Sequence, residues 1–489
     1  MENIKTKRLN RENAGITEKL PIKIVQYGEG NFLRAFVNYL VNKLNKEADF
    51  NAGVAVIQPL AGGMISVLNE QDGLYNLFMK GIKQGKEIQL NETISCIQNA
   101  YDPYKDYESY LNLAKEEELE FIISNTTEAG IAYDANDKLE EYPHQSFPAK
   151  LTALLYKRFQ YFEADPAKGL TIIPCELINH NADNLKKIIL KYAESWKLED
   201  DFVKWINENN SFHNTLVDRI VPGFPKDDIE EYEEQLELED KLIVSAEIFL
   251  LWVIEGGEEL KSKIPFHKID ENVLIVKDLQ PYRTRKVRIL NGAHTTMVPF
   301  SILFGNETVK ETVDHNFTGE FIEKAVFEEI NPTLSLSEEE LNSFAAEVFD
   351  RFRNPFIKHQ LASIALNSIS KFKVRVLPSL LGFHKKYNRL PLRLTFAFAC
   401  LIRFYDGKWK GQALPVKDDE KVISIMKKIW ELHSYNEIAE HVLGKEDFWG
   451  LDLNELPQLK EKIAFALEVI DTKGIKDGFE LFSKKFPSS

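Results

Sequence analysis

Pro21-Ile22-Lys23-Ile24-Val25-Gln26-Tyr27-Gly28-Glu29-Gly30-Asn31-Phe32-Leu33-Arg34 is the stretch whose reading decides the fold. Residues 21–27 read as a buried strand, two glycines follow at once, and residues 35–44 form an amphipathic run. Strand, glycine turn and helix in that order open a dinucleotide-binding unit. Gly28 permits the tight turn. Gly30 lets the backbone approach a pyrophosphate at the helix N-terminus, where free N–H groups and the helix dipole favour anions. The third glycine of the usual fingerprint is replaced by Leu33, so the match is partial.

Working outward, a second strand is expected at 53–57, ending at Gln58-Pro59. An acid at such a tip commonly bonds the adenosine ribose. Here there is none, so the strand does not decide between NAD and NADP. Residues 106–117 read as a polar helix, 119–124 as a strand, 150–162 as a helix and 169–174 as a strand. Strands alternating with helices imply a parallel sheet. The loop Asn125-Thr-Thr-Glu128-Ala-Gly130 leaves the C-terminal end of a strand, where such sheets bind ligands. Residues 183–196 have helical spacing, the charged run 227–240 reads as a solvated face, and Val273-Leu-Ile-Val276 is a last strand.

Lys286-Val-Arg-Ile-Leu-Asn291-Gly-Ala-His294 follows that strand. It places an amine, a carboxamide and an imidazole within nine residues. In a regular helix Asn291 and His294 share a face, and Lys286 lies two turns before His294, rotated from it by about 80°. These groups can move a proton on and off a hydroxyl without a metal. From 291 onward helical periodicity dominates, over 319–330, 337–352, 354–372, 391–405, 418–430 and 459–473. Two basic clusters fall in this region, Arg351 to Gln360 and Ser370 to Arg375, and suit an anionic ligand.

The chain has 489 residues, 44% of them hydrophobic and 28% charged, enough for two or three cores. A net charge of −15 argues against a nucleic-acid partner. The three cysteines are far apart and form no C-x-x-C pair, which points to a reducing compartment and no metal. Neither a signal peptide nor a membrane span is expected, so the expected location is cytoplasmic.

Several stretches, in order, resemble the polyol-specific long-chain dehydrogenases, the mannitol dehydrogenase group. They are Tyr27 to Phe36, Ser124 to Ile131, Val217-Asp218-Arg219-Ile220, Glu247 with Trp252, Lys286 with Asn291 and His294, and Arg351 to Leu361. The likeness runs from about residue 20 to the C-terminus. It implies a Rossmann-type α/β domain over 1–275, a mostly α-helical substrate domain over 276–489, NAD as cofactor, a sugar-derived small-molecule substrate, and a monomer or small homo-oligomer. Carried over residue by residue, it makes Lys286 the general acid/base, Asn291 an oxyanion donor and His294 the residue that orients the substrate oxygen. Cofactor contacts are expected from Gly28, Gly30, Asn31, Phe32, Arg34 and Glu128. Substrate contacts are expected from Asp218 and Lys371.

Three positions depart from the group's pattern. Leu177 stands where a second oxyanion asparagine is expected, which leaves nearby Asn181 as the candidate. Ser363 stands for a substrate-binding arginine, and Arg283 for a glutamate three residues before the lysine. Lys358 and His359 offset the lost arginine. The resulting cationic pocket suits a sugar acid better than a neutral polyol. Another sugar acid of the same class, a neutral polyol, or a nucleotide-binding regulatory protein with a dead site are the alternatives.

Overall fold

In the computed structural model, which describes residues 7–127, 129–226 and 228–487, the opening strand runs Ile22–Tyr27 and is buried from Ile24 on. It is central in a six-stranded parallel sheet. The spatial order is Ile97–Tyr101, Gly53–Ile57, Ile22–Tyr27, Phe121–Ser124, Thr171–Pro174 and Ser211–Phe212. Chain order reverses between Ile22–Tyr27 and Phe121–Ser124, the switch point at which such sheets bind nucleotides. Apolar residues alternate across the strand. Val25 and Tyr27 join one core, with Leu151, Leu155 and Phe202, while Ile24 joins the other, with Phe36, Val54 and Trp252. Burial on both faces explains the nearly continuous apolar run.

Two three-stranded sheets extend this unit. One pairs Tyr75–Lys83 with Lys86–Ile94 and Val244–Glu247; the other pairs Leu251–Glu255 with Thr215–Asp218 and Val273–Val276. The chain divides into two compact units, Met1–Lys80 with Glu87–Leu279, and Gly81–Lys86 with Gln280–Ser489. The second is mostly helical. Its helices Gly292–Phe304, Leu392–Phe404 and Leu459–Lys485 are lined by buried apolar residues, with Phe300 stacked on Phe321 at 4.0 Å and Phe479 edge-on to Phe321 at 4.9 Å.

Two expectations need correction. The span 354–372 is not one helix. Asn354 Oδ1 accepts from Phe356 N at 3.0 Å, a local turn that Pro355 reinforces by disfavouring helical backbone before it. Helix resumes only at Leu361–Ile364 and Ser368–Arg375. The charged run 227–240 is not wholly solvated either. Asp227 lies outside the described residues, and Asp240 is buried, accepting from Gln71 Nε2 (2.8 Å), Leu242 N (2.7 Å), Asn76 N (2.6 Å) and Asn76 Nδ2 (3.0 Å).

Four donors on one buried carboxylate make Asp240 a tie between the sheet bearing Tyr75–Lys83 and the segment that enters Val244–Glu247. Replacing it by alanine leaves those donors without an acceptor. We expect Asp240→Ala to cost about 2–4 kcal/mol, read as a lowered midpoint in urea unfolding.

Candidate active site

In the first unit the glycine turn is built as its residues require. Gly28 has φ +118°, and a Cβ there would lie 2.8 Å from the Asn125 carbonyl oxygen. Its N–H donates to Ile57 O at 2.9 Å. Gly30 caps the helix Asn31–Ala35, which has no side-chain cap, and a Cβ on Gly30 would meet nothing described within 4 Å. An uncapped helix start below a bare glycine fits a pyrophosphate. Phe32 stacks on Phe36 at 4.9 Å, and Asn31 is half-buried beside Gly223.

Arg34 has a different task from the one expected. It is buried, and its guanidinium donates to Glu29 O (3.1 Å), Leu242 O (2.6 Å) and Asn31 Oδ1 (2.6 Å). It therefore pins the glycine turn from behind and holds Asn31, without facing a cofactor itself. Glu128 lies outside the described residues. Its loop is fastened by buried Glu176, whose carboxylate accepts from Ser124 Oγ, Thr126 N and Thr126 Oγ1, each at 3.0 Å. Burial raises the Glu176 pKa against the opposing pull of these donors.

An acid from another segment, Glu29, lies near the second strand's tip. A Cβ on Gly63 would lie 2.1 Å from Glu29 Oε1 and 2.5 Å from Gln58 Oε1, so both side chains converge there. Burial raises the Glu29 pKa, while the Met64 N–H bonded to it works the other way. Sequence reasoning passed over Glu29 because it sits inside the glycine fingerprint.

Asn181 must be withdrawn as a substrate donor. It is fully buried; its Nδ2 donates to Pro174 O (2.9 Å), Glu176 O (3.2 Å) and Thr215 Oγ1 (3.0 Å), and its Oδ1 accepts from Thr215 N and Ala182 N, both at 3.0 Å. Leu177, at the position of the missing asparagine, is 62% exposed. Asp218 ends the strand Thr215–Asp218, paired with Leu251. The next residue, Arg219, is buried and donates to Glu247 O at 3.0 and 2.8 Å and to Ala35 O, which fixes the end of that strand.

In the second unit the Lys286–His294 stretch is helical but not regular. Helix Gln280–Lys286 passes into a π-helical turn, Val287–Asn291, before α-helix resumes at Gly292. The Gly292 N–H reaches back to Val287 O, five residues rather than four. In an unbroken α-helix, at about 100° per residue, Asn291 would stand roughly 140° and His294 roughly 80° round from Lys286. A π-turn absorbs one residue. It brings Asn291 to about 40° on one side of Lys286 and His294 to about 20° on the other. The three side chains then share one face.

Neighbouring groups hold this turn. Arg285 is buried, with its guanidinium over the Tyr282 and Phe344 rings at 5.1 and 4.3 Å. Arg288 donates from Nε to Ser379 Oγ (2.7 Å) and from Nη2 to Thr333 Oγ1 (3.2 Å). Burial lowers the Arg288 pKa to about 10. Gly292 eases the packing here, because a Cβ would lie 3.1 Å from the Arg375 carbonyl.

The Asn291 carboxamide has no hydrogen-bond partner among the described residues, so its N–H groups remain for a ligand. His294 lies 4.5 Å from Phe352 and 5.1 Å from His359, edge to face with the latter (ring centroids). Burial, and then Arg351, push the His359 pKa down, which favours neutral imidazole. Lys371 donates to Ile364 O at 2.8 Å; burial first and Arg375 second lower its pKa. Lys358 is exposed. Among the described residues, no three or more His, Cys, Asp or Glu side chains are grouped to hold a metal, and no helix is long and apolar enough to cross a membrane.

A parallel sheet with a glycine turn at its switch point, and a lysine–asparagine–histidine face on a helix, define a dinucleotide-dependent dehydrogenase. The chain belongs to the mannitol dehydrogenase family. Residues 22–268 match the mannitol dehydrogenase Rossmann domain and 278–471 the mannitol dehydrogenase C-terminal domain. Altronate oxidoreductase of Bacillus subtilis is 46% identical over 477 residues, covering 97% of this chain and 98% of that protein. An Escherichia coli altronate oxidoreductase is 44% identical over 463 residues, with 94% and 96% covered. The fold is similar to that of a substrate-free D-sorbitol dehydrogenase (TM-score 0.79, 20% identity, 96% and 100% covered). It is also similar to that of Pseudomonas fluorescens mannitol 2-dehydrogenase (TM-score 0.64, 19% identity, 98% and 100% covered).

Two outcomes test this description. Gly28→Ala forces a Cβ against the Asn125 carbonyl at a φ that disfavours it, and should weaken NADH binding at least about 10-fold, read by quenching of protein fluorescence. Arg288→Met frees the π-turn from Ser379 and Thr333. It should lower kcat about 10-fold, the scale of one lost hydrogen bond to a charged group, with NADH affinity unchanged.

Proposed function

We propose that the protein is an NAD-dependent reductase that interconverts D-tagaturonate and D-altronate in cytoplasmic hexuronate breakdown. The observation that carries the substrate is the near end-to-end likeness to altronate oxidoreductases. The basic side chains of Lys358, His359 and Lys371, with the His359 ring 5.1 Å from His294, support a sugar acid over a neutral polyol. The Glu29 carboxylate at the second strand's tip supports NAD over NADP, since an acid there repels a 2′-phosphate.

Gly28, Gly30 and Asn31 would hold the pyrophosphate. When bound, NADH supplies the hydride that reduces the ketone carbon. Negative charge then builds on the carbonyl oxygen, where Asn291 Nδ2 and the His294 imidazole donate hydrogen bonds that strengthen as the charge grows. Lys286, as ammonium, gives that oxygen its proton. In the oxidative direction Lys286 starts neutral and takes the hydroxyl proton. Phe352 and the edge of His359 fix the His294 ring, so its donor is already aimed when charge develops.

Loss of NADH absorbance with D-tagaturonate, D-fructuronate and D-fructose side by side tests the substrate. The highest kcat/KM is expected for tagaturonate; a preference for fructuronate or fructose, or no turnover of any of them, overturns the reading. Lys286→Ala should lower kcat at least about 100-fold, the low end for lost acid–base catalysis, while NADH still binds. Near-wild-type turnover in that variant would remove Lys286 from the mechanism.

A further inference from the structure

Arg375 is a cation with no use so far. It ends the helix Ser368–Arg375, four residues after Lys371, and so shares a face with it. It is half-buried. Among the described residues its guanidinium makes no hydrogen bond, ion pair or ring contact. That is unusual in a chain with 76 acidic and 61 basic residues, where most arginines could find a carboxylate. The Arg375 guanidinium nitrogens are not among the buried unpartnered atoms, so the group is open to a ligand from outside, and a half-buried cation gains more from a bound carboxylate than a fully solvated one. Burial lowers its pKa.

Its position is specific. The Arg375 carbonyl is the atom that a Cβ on Gly292 would approach to 3.1 Å. Gly292 directly follows Asn291 and precedes His294 by two residues. Arg375 therefore stands beside the helix that carries the proton-handling face. The other cations are less suited to a carboxylate. Lys371 is committed to Ile364 O and lies within the influence of Asp418, which itself accepts from Tyr405 Oη. Lys358 is exposed on irregular chain, where water competes for it. His359 is held toward its neutral form.

We propose that Arg375 is the specificity-determining residue that binds the substrate's carboxylate through paired guanidinium N–H donors, with Lys371 adding charge from one turn away. This takes over the task of the arginine that Ser363 replaces. It rests on the reading of the substrate as a keto-uronate. The planar fork of an arginine matches a carboxylate with two parallel hydrogen bonds, which a lysine cannot reproduce.

The test compares a keto-uronate with a neutral ketose that has a hydroxymethyl group in place of the carboxylate, by NADH oxidation, in wild type, Arg375→Met, Arg375→Lys and Lys373→Met. Arg375→Met should raise KM for the keto-uronate about 100-fold and lower kcat much less. Its kcat/KM for the neutral ketose should stay within about 3-fold, and NADH binding should be retained. Arg375→Lys should recover part of the loss, and Lys373→Met should behave as wild type. Wild-type KM for the keto-uronate in Arg375→Met, or an equal loss on both substrates, overturns the assignment of Arg375 while leaving the keto-uronate reading intact. Failure of wild type to reduce any keto-uronate overturns both.

Discussion

The hydrogen bond from the Gly292 amide to the Val287 carbonyl spans five residues, and the placement of the reactive side chains depends on it. With a regular helix through the same residues, Asn291 and His294 would still share a face, but that face would be turned about 80–140° away from Lys286. The widened turn is less favourable than α-helix, so something must stabilise it. Arg288 is bonded to Ser379 and Thr333, Arg285 lies against two rings, and Ile289 and Leu290 are buried. Gly292 completes the arrangement because a Cβ there would crowd the Arg375 carbonyl at 3.1 Å. The motif Leu290-Asn-Gly-Ala-His294 is thus partly about packing: on the proposed mechanism Asn291 hydrogen-bonds the ligand, Gly292 eases the approach to Arg375, and the turn before them sets the angle.

The glycine turn in the first unit follows the same logic. Its two glycines supply a positive φ and an open approach, but the turn is rigid because Arg34 grips the Glu29 carbonyl from inside the protein. A buried arginine bonded to main-chain oxygens fixes backbone more firmly than a surface one, since breaking any bond leaves a charged group unsatisfied. Asn181 and Glu176 do comparable work near the ends of neighbouring strands. In each case a polar residue that sits near a motif shapes the backbone rather than the ligand.

Much of this was legible in the sequence, and for physical reasons. The strands 22–27, 53–57 and 273–276 are short apolar runs bounded by turns, and burial on both faces of the first two leaves little ambiguity. The Lys286, Asn291 and His294 set was visible from residue chemistry alone, and the family resemblance pointed to its order. The π-turn was not visible, because residue spacing carries no record of a hydrogen bond that skips one more residue. The helix expected over 354–372 failed because periodicity was counted through Asn354-Pro355, where local turn chemistry prevails. Asp240 looked like one more charge in an acidic run, since three of its four hydrogen bonds come from Gln71 and Asn76, 169 and 164 positions away, and are invisible locally. Arg34 and Asn181 were assigned to ligands because polar residues in motifs invite that reading, and only their buried partners reveal the structural role.

On the proposed mechanism, Lys286 passes the proton to the oxygen held by Asn291 and His294. Chemical rescue measures this most directly. In Lys286→Ala, single-turnover rates with NADH and tagaturonate bound should rise in proportion to added small primary ammonium ions, and with NAD+ and altronate bound they should rise more for amines of greater basicity. Rates that stay flat across amines, although cofactor and substrate bind normally, would contradict the account.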